Sequence, residues 1–321
     1  MDLAAPKTKT AASLTHGYLI CVIATFFWAF TGIFIGYLIQ TYRMPALVLA
    51  FWRDAFVALG LATFFVLASP GRLWAPRARL AFLALFGLTF SLFNALWTAS
   101  VGLNGAAVST VLAYSSLAYT VLLGWRLFSE RVDLAKVAAV TLSLLGCVLV
   151  SGAYDPLAWQ VNAFGIALGL LSGIGFATYS LMGKAASRQG LDSWSTLLYT
   201  FGFGALFLLV ANLVVAWWPG MEQAPGLFWL GNSWAGWGIL VVLALVPTIG
   251  GFGLYTASLA YLPVSVANLI ATLEPVITAI LAYALLGERF SGPQMLGSAL
   301  IISAVIILRF SQDKRPASEM L

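Results

Sequence analysis

Most of this chain is written in apolar runs of about 20 residues, and that run length limits its fold more than any other feature. The runs are divided by short polar or proline-bearing breaks such as SPGRLWAPRAR (69–79), SGAYDPLAWQVN (151–162) and WWPGMEQAPG (217–226). A hydrocarbon core of ~30 Å needs roughly 20 apolar residues per helix. Ten segments approach or exceed this, near 17–38, 46–68, 79–101, 105–127, 134–151, 163–184, 194–217, 236–260, 264–286 and 292–309. In lipid every backbone N–H and C=O must be paired within its own segment, and no alternating barrel pattern is present, so all ten are expected to be helices. The expected fold is an all-α integral membrane protein of ten transmembrane helices.

Composition removes the soluble alternatives. The chain is 61% hydrophobic and 8% charged, against roughly 25% charged in an average soluble domain. Sixteen Lys and Arg with eleven Asp and Glu cannot clothe a soluble core of this size. Cys21 and Cys147 lie inside apolar runs without a CxxC or a secreted-type framework, so no disulfide is expected. The single histidine, His16, precedes the first run and offers no cluster for a metal; no metal and no cofactor are expected. The opening MDLAAPKTKTAASLTHG is basic like a secretory leader, but the apolar run behind it is about 22 residues long. A leader's apolar region spans only about 7 to 15, so this run is expected to remain as a span.

The loops carry the orientation. With the N-terminus in the cytoplasm, Lys7, Lys9, Arg72, Arg77, Arg79, Arg126, Arg131, Lys136, Lys184, Arg188, Arg309, Lys314 and Arg315 fall on the cytoplasmic side, and only Arg43 and Arg289 fall outside. Ten spans then place both termini inside. The net charge of +5 follows from this topology; the cations are scattered over several loops, so no nucleic-acid partner is expected.

Two stretches of the chain repeat each other. WTAS at 97–100 and SER at 129–131 return as YTAS at 255–258 and GER at 287–289, at one offset of 158 with no gap between the paired motifs. An offset of 148 aligns HGYLICVIATFFWAFTG at 16–32 with FGIALGLLSGIGFATYS at 164–180, pairing Trp28 with Phe176. Five spans separate the copies, and five is odd, so the second copy must sit inverted relative to the first. The expected organisation is a cytoplasmic tail (1–16), a first five-helix repeat (17–151), a periplasmic linker (152–162), a second, inverted repeat (163–309) and a cytoplasmic tail (310–321). Two like halves about an axis in the membrane plane give the two related states that alternating access requires.

Ionisable groups within a span cost about 2.5 to 3.5 kcal/mol at its centre, so each needs a partner or a function. Arg53, Asp54 and Glu274 are such groups. Arg53 stands about eight residues into the second run, roughly 12 Å deep at ~1.5 Å per residue. Neighbours do not share a helix face, so Arg53 and Asp54 are expected to find different partners, in structural or gating roles. Glu274 precedes Pro275, which has no N–H and loosens the preceding turn; this carboxyl is expected either to line the pathway or to pair with Arg53 or another helix. Its repeat mate is Ser116.

Matched aromatic and polar positions are the remaining pathway candidates: Trp28 with Phe176, Trp97 with Tyr255, and Tyr114 with Thr272. Asn94, Trp97 and Thr98 share a face of the third span, and Asn268 and Thr272 one of the ninth. An aromatic cavity with a few hydrogen-bonding groups suits a small amphipathic solute. The Gly32/Gly36 and Gly169/Gly173 pairs are expected at close helix crossings, and Gly250, Gly251 and Gly253 near Pro247 at a flexible point. The Glu130–Arg131 and Glu288–Arg289 pairs are expected to anchor helix ends, the first placed to help close the cytoplasmic entrance.

FFWAFTGIFIG in the first span, AFWRDA in the second and ANLIATLEPVITAILAYALLGERFSGPQMLGSALI across the last two resemble the EamA-type bacterial exporters of the drug/metabolite transporter superfamily, from about Gly17 to Arg309. The branch that exports aromatic amino acids and paraquat is similar. The resemblance implies a multi-pass protein of the bacterial inner membrane, acting as a monomer on a small-molecule substrate, most simply a neutral or aromatic amino acid; other amphipathic drugs and metabolites are the alternative. The departure is Leu117, where relatives often carry a proline and where the second repeat has Pro275; without it the fourth span is expected to kink less. A membrane enzyme would show a His/Asp/Glu cluster and a channel a polar ring. The absence of a GxxxxGK[ST] loop argues against direct drive by ATP. Phosphate esters would need more membrane cations than Arg53.

Overall fold

In the computed structural model, residues 11–156, 162–217, 226–286 and 291–313 are described. Lys7, Lys9, the Glu288–Arg289 pair, Lys314 and Arg315, with most of the expected tails, lie outside them. The helices are α1 (Ala11–Tyr42), α2 (Ala46–Ala68), α3 (Leu80–Ala113), α4 (Ser116–Phe128), α5 (Leu134–Val150), α6 (Ala163–Arg188) and α7 (Ser193–Trp217). After them come α8 (Trp234–Leu243), a π-helical turn (Ala244–Thr248), α9 (Ile249–Ser258), α10 (Val264–Ala271), α11 (Glu274–Leu286) and α12 (Gly292–Asp313). Among the described residues nine segments are long and apolar enough to cross a bilayer, and α5 is a shorter apolar helix; ten transmembrane helices fit this set. Side-chain caps start α5, α6 and α8, Asp133 accepting from the Lys136 N–H at 2.8 Å, Asn162 from that of Gly165 at 3.2 Å and Ser233 from that of Gly236 at 3.2 Å.

The third and fourth spans differ from expectation. Helical pairing continues from Leu80 to Ala113 through the expected loop at 102–104, yet the hydroxyls of Ser100 and Ser109 stand 2.8 Å apart. Nine residues along a straight helix would separate them by ~13.5 Å, so the chain reverses between them. The fourth span then breaks at Tyr114–Ser115, despite Leu117 in place of proline: the N–H of Leu117 donates to Tyr114 O at 3.0 Å, a tighter turn than an α-helix makes. The ninth span breaks at the matching place, with Leu273 N–H on Ile270 O at 3.0 Å. Proline is therefore not what makes the break. In the first repeat α6 presses on it, since a Cβ at Gly173 would lie 3.1 Å from the carbonyls of both Leu112 and Ala113.

The helix pairings repeat as the sequence does. The first span packs on the eighth where Gly250 and Gly251 admit Phe27 and Trp28, and the sixth packs on the third where Gly175 admits Phe93; exchanging the halves converts one pairing into the other. Spans two and seven meet each other, Asn212 Nδ2 donating to Leu47 O at 3.2 Å. Spans five and ten cross through Gly146 and Gly297, where a Cβ on either would lie 2.7 Å from the other's carbonyl oxygen. Gly169 and Gly173 sit at such a crossing as expected, but Gly32 and Gly36 do not: a Cβ there meets nothing within 4 Å. Gly250, Gly251 and Gly253 are places of close approach to Phe27, Trp28 and Trp194.

Candidate substrate cavity

A cavity of about 650 Å³, part of it open to solvent, lies where the halves meet. Six of the expected pathway residues line it: Trp28 from α1, Asn94 and Trp97 from α3, Tyr114 at the fourth-span break, Phe176 from α6 and Glu274 from α11. The expected gating residue Arg53, from α2, lines it too. The mates Trp28 and Phe176 touch edge to face with centroids 5.9 Å apart, and Phe252 lies 5.0 Å from Trp28. Glu274 Oε2 accepts from the Tyr114 hydroxyl at 2.8 Å, and the same hydroxyl reaches Ala271 O at 3.2 Å. The ninth-span break thus opens Glu274 and the Ala271 carbonyl toward one phenol.

Arg53 and Asp54 correct the expectation of separate partners. Nε and Nη2 of Arg53 both donate to Oδ1 of Asp54, at 3.3 and 3.2 Å. The side chains are 5% and 0% exposed, and in so dry a place a charge cannot be left uncompensated, so the long Arg stem curls back to its chain neighbour. Asp54 lies behind Arg53, its Oδ2 against α7 at Gly204. The alternative of Arg53 as the partner of Glu274 is not realised.

The other candidates stand outside the lining. Tyr255 backs the wall, 4.9 Å from Trp28, with its hydroxyl 2.8 Å from Ser180 Oγ. Ser116 donates to Asn268 Oδ1 at 3.1 Å, and Thr272 meets Ser143 at 2.6 Å. These polar groups tie spans together, the ordinary use of hydroxyls and amides between membrane helices. Pro275 is the second residue of α11, where its missing N–H costs nothing.

Sequence reasoning missed Thr31, Phe93, Thr110, Ala113, Phe252 and Ala271 in the lining. A signal existed for four of them. Asn94 mates with Phe252 and Ala113 with Ala271 at the offset of 158, and Thr110 is the mate of Asn268.

One end of the bundle is closed beneath this cavity. It gathers the start of α1, the ends of α4 and α6 and the 259–263 connection, with His16 5.1 Å from the Tyr261 ring. Lys184, counted in sequence as a loop cation, is buried there and donates to Leu259 O at 2.6 Å and Leu262 O at 2.8 Å. Glu130 accepts from Val264 N–H at 2.6 Å, from the Ser265 hydroxyl, and from Lys136 Nζ at 3.4 Å. A cation on the trailing carbonyls of one span and an anion on the leading amides of the next match both helix dipoles. The cavity lies toward the opposite end: Trp97 and Thr110 flank the Ser100–Ser109 reversal, and Arg53 lies one helix stretch above the Pro45 start of α2.

Ten spans in two repeated halves around a central aromatic cavity are the arrangement of a membrane transporter. Residues 15–152 and 163–310 each match the EamA-like transporter family, one match per repeat, and the chain belongs to that family. It is 29% identical over 243 residues to an "Uncharacterized transporter" of Archaeoglobus fulgidus, covering 76% of this chain and 79% of that one. It is 28% identical over 287 residues to a "Probable amino-acid metabolite efflux pump" of Escherichia coli K12, covering 86% and 89%. A solved crystal structure aligns at a TM-score of 0.72 with 17% identity, covering 93% of this chain and 99% of that one, and shares the fold.

Proposed function

We propose that this transporter exports amino acids, chiefly neutral ones of aromatic or apolar character, from the bacterial cytoplasm across the inner membrane. The observation that carries this is the cavity itself: an aromatic box of Trp28, Phe93, Phe176 and Phe252 with Glu274 set into its wall. Aromatic faces take up an apolar side chain, and a carboxylate with one hydrogen-bond partner takes an ammonium group. The similarity to an amino-acid metabolite efflux pump supports the same solute class. With both termini cytoplasmic, as the distribution of loop cations argues, the end closed by Glu130 and Lys184 is the cytoplasmic one. The cavity then belongs to the state that faces outward.

Uptake into proteoliposomes across a panel of amino acids, with and without a pH gradient, tests the reading. Saturable, mutually competitive uptake of aromatic and apolar amino acids is expected. Correctly inserted protein that moves none of the panel overturns it.

A further inference from the structure

Three side chains of the cavity wall carry a buried polar atom without a hydrogen-bond partner: Trp28 Nε1, Thr31 Oγ1 and Asn94 Nδ2. Two of these can only donate, and the threonine hydroxyl can donate as well. Buried donors without acceptors are costly, so this wall is complete only when something supplying oxygen sits against it. Arg53 stands in the same wall. Asp54 engages it through Nε and Nη2 alone, which orients the fork and leaves Nη1 outside the pair. Opposite in character is Glu274, whose Oε2 is taken by Tyr114.

Resting on the reading of this cavity as the substrate site, we propose that the cavity has two poles: Arg53 and Asn94 bind the substrate carboxylate, and Glu274 binds its ammonium group. The solute is then an α-amino acid held as a zwitterion, with Asp54 as the positioning residue that aims the guanidinium. Two other chemistries fit less well. A simple amine satisfies Glu274 but leaves the donors empty. A phosphate ester brings two negative charges to one guanidinium that already shares its charge with Asp54.

The test is exchange of labelled phenylalanine in proteoliposomes, competed with phenylalanine, phenethylamine (no carboxylate), 3-phenylpropionate (no amine) and phenylalanine amide. Each truncated compound is expected to compete at least tenfold more weakly than phenylalanine. The double variant Arg53→Gln/Asp54→Asn, which removes both charges together, is expected to narrow the gap between phenylalanine and phenethylamine to less than threefold. Should that variant not fold, Asn94→Ala leaves the ion pair in place and is expected to narrow the same gap. Phenethylamine competing as well as phenylalanine against the wild-type protein, or a folded double variant that keeps the full gap, overturns the two-pole assignment alone. A protein that exchanges no amino acid overturns the amino-acid reading and the assignment with it.

Discussion

The carboxylate of Glu130, just past the fourth span, accepts the backbone N–H of Val264 at 2.6 Å, joining positions 134 residues apart. Glu130 reaches it because α4 ends on Ser129 in a left-handed conformation (φ 57) and the N–H of Glu130 donates back to Gly124 O at 3.1 Å, turning the side chain toward α10. The two repeats are thus latched at the closed end by one side chain of the first on the first turn of the last broken span.

Glu130→Ala should loosen that end. It leaves the Val264 amide and the Ser265 hydroxyl without their acceptor, at about 1 to 3 kcal/mol for each unsatisfied group. A cysteine at Ser265 should react with a small thiol reagent at least several-fold faster in the variant, and the melting temperature in detergent should fall. Unchanged reactivity and melting temperature would show that the contact closes nothing.

Tyr114→Phe isolates the contact to Glu274. It removes the hydroxyl shared with Glu274 and Ala271 while keeping the ring. A hydrogen bond to a charged group is worth about 1.5 to 3 kcal/mol, so the melting temperature should fall, and substrate affinity should change roughly tenfold or more where Glu274 holds the substrate. Binding measured by fluorescence quenching of the cavity tryptophans reads this directly.

Glu274→Gln separates the roles open to that carboxyl. If it holds the substrate ammonium, amino-acid transport should weaken more than transport of uncharged solutes. If it carries a proton, dependence on the pH gradient should vanish while exchange persists. A folded variant with unchanged rate, preference and pH response would leave Glu274 a structural residue.

Glycine substitutions should divide by crossing. Gly251→Ala drives a methyl into Trp28 and Gly146→Ala one to within 2.7 Å of the Gly297 carbonyl, whereas Gly32→Ala meets nothing within 4 Å. The first two should cost about 1 to 3 kcal/mol through overpacking, and the third should be neutral or slightly stabilising, since alanine favours a helix over glycine. Melting curves of the three variants in one detergent decide it.

For topology, a cysteine placed at Ser69 should be labelled by an impermeant reagent only after the cytoplasmic side is exposed. Labelling in intact cells would reverse the orientation.

The ten helices were legible because run length and lipid leave a segment few choices. The aromatic half of the cavity was legible through the repeat: Trp28 and Phe176 were paired by offset and do meet. The polar half was harder. Ser116, Asn268 and Thr272 have the composition of pathway residues, yet they bond across spans, and sequence does not distinguish a hydroxyl spent on a neighbouring helix from one offered to a solute. The Arg53–Asp54 pair was missed because spacing rules describe where Cβ atoms point, whereas a long Arg side chain can fold back on its neighbour once burial demands it. The closing contacts of Glu130 and Lys184 come from loop-end residues whose partners are backbone groups, which carry no residue-type signal.

The π-helical turn at Ala244–Thr248 has no counterpart in the matching stretch of α3, which is regular. Its wide turn contains Pro247, and the Leu243 carbonyl is taken by the Thr248 hydroxyl at 2.7 Å. In an exchange of conformations between the halves, this irregular segment and the regular stretch of α3 would not be interchangeable. Two such orientations of an empty carrier would consequently not be equal in energy. An imbalance of only about 1.4 kcal/mol leaves a tenfold excess of one over the other before any solute arrives. In such a carrier one segment of the eighth span, rather than the solute, would set which side the empty molecule faces at rest.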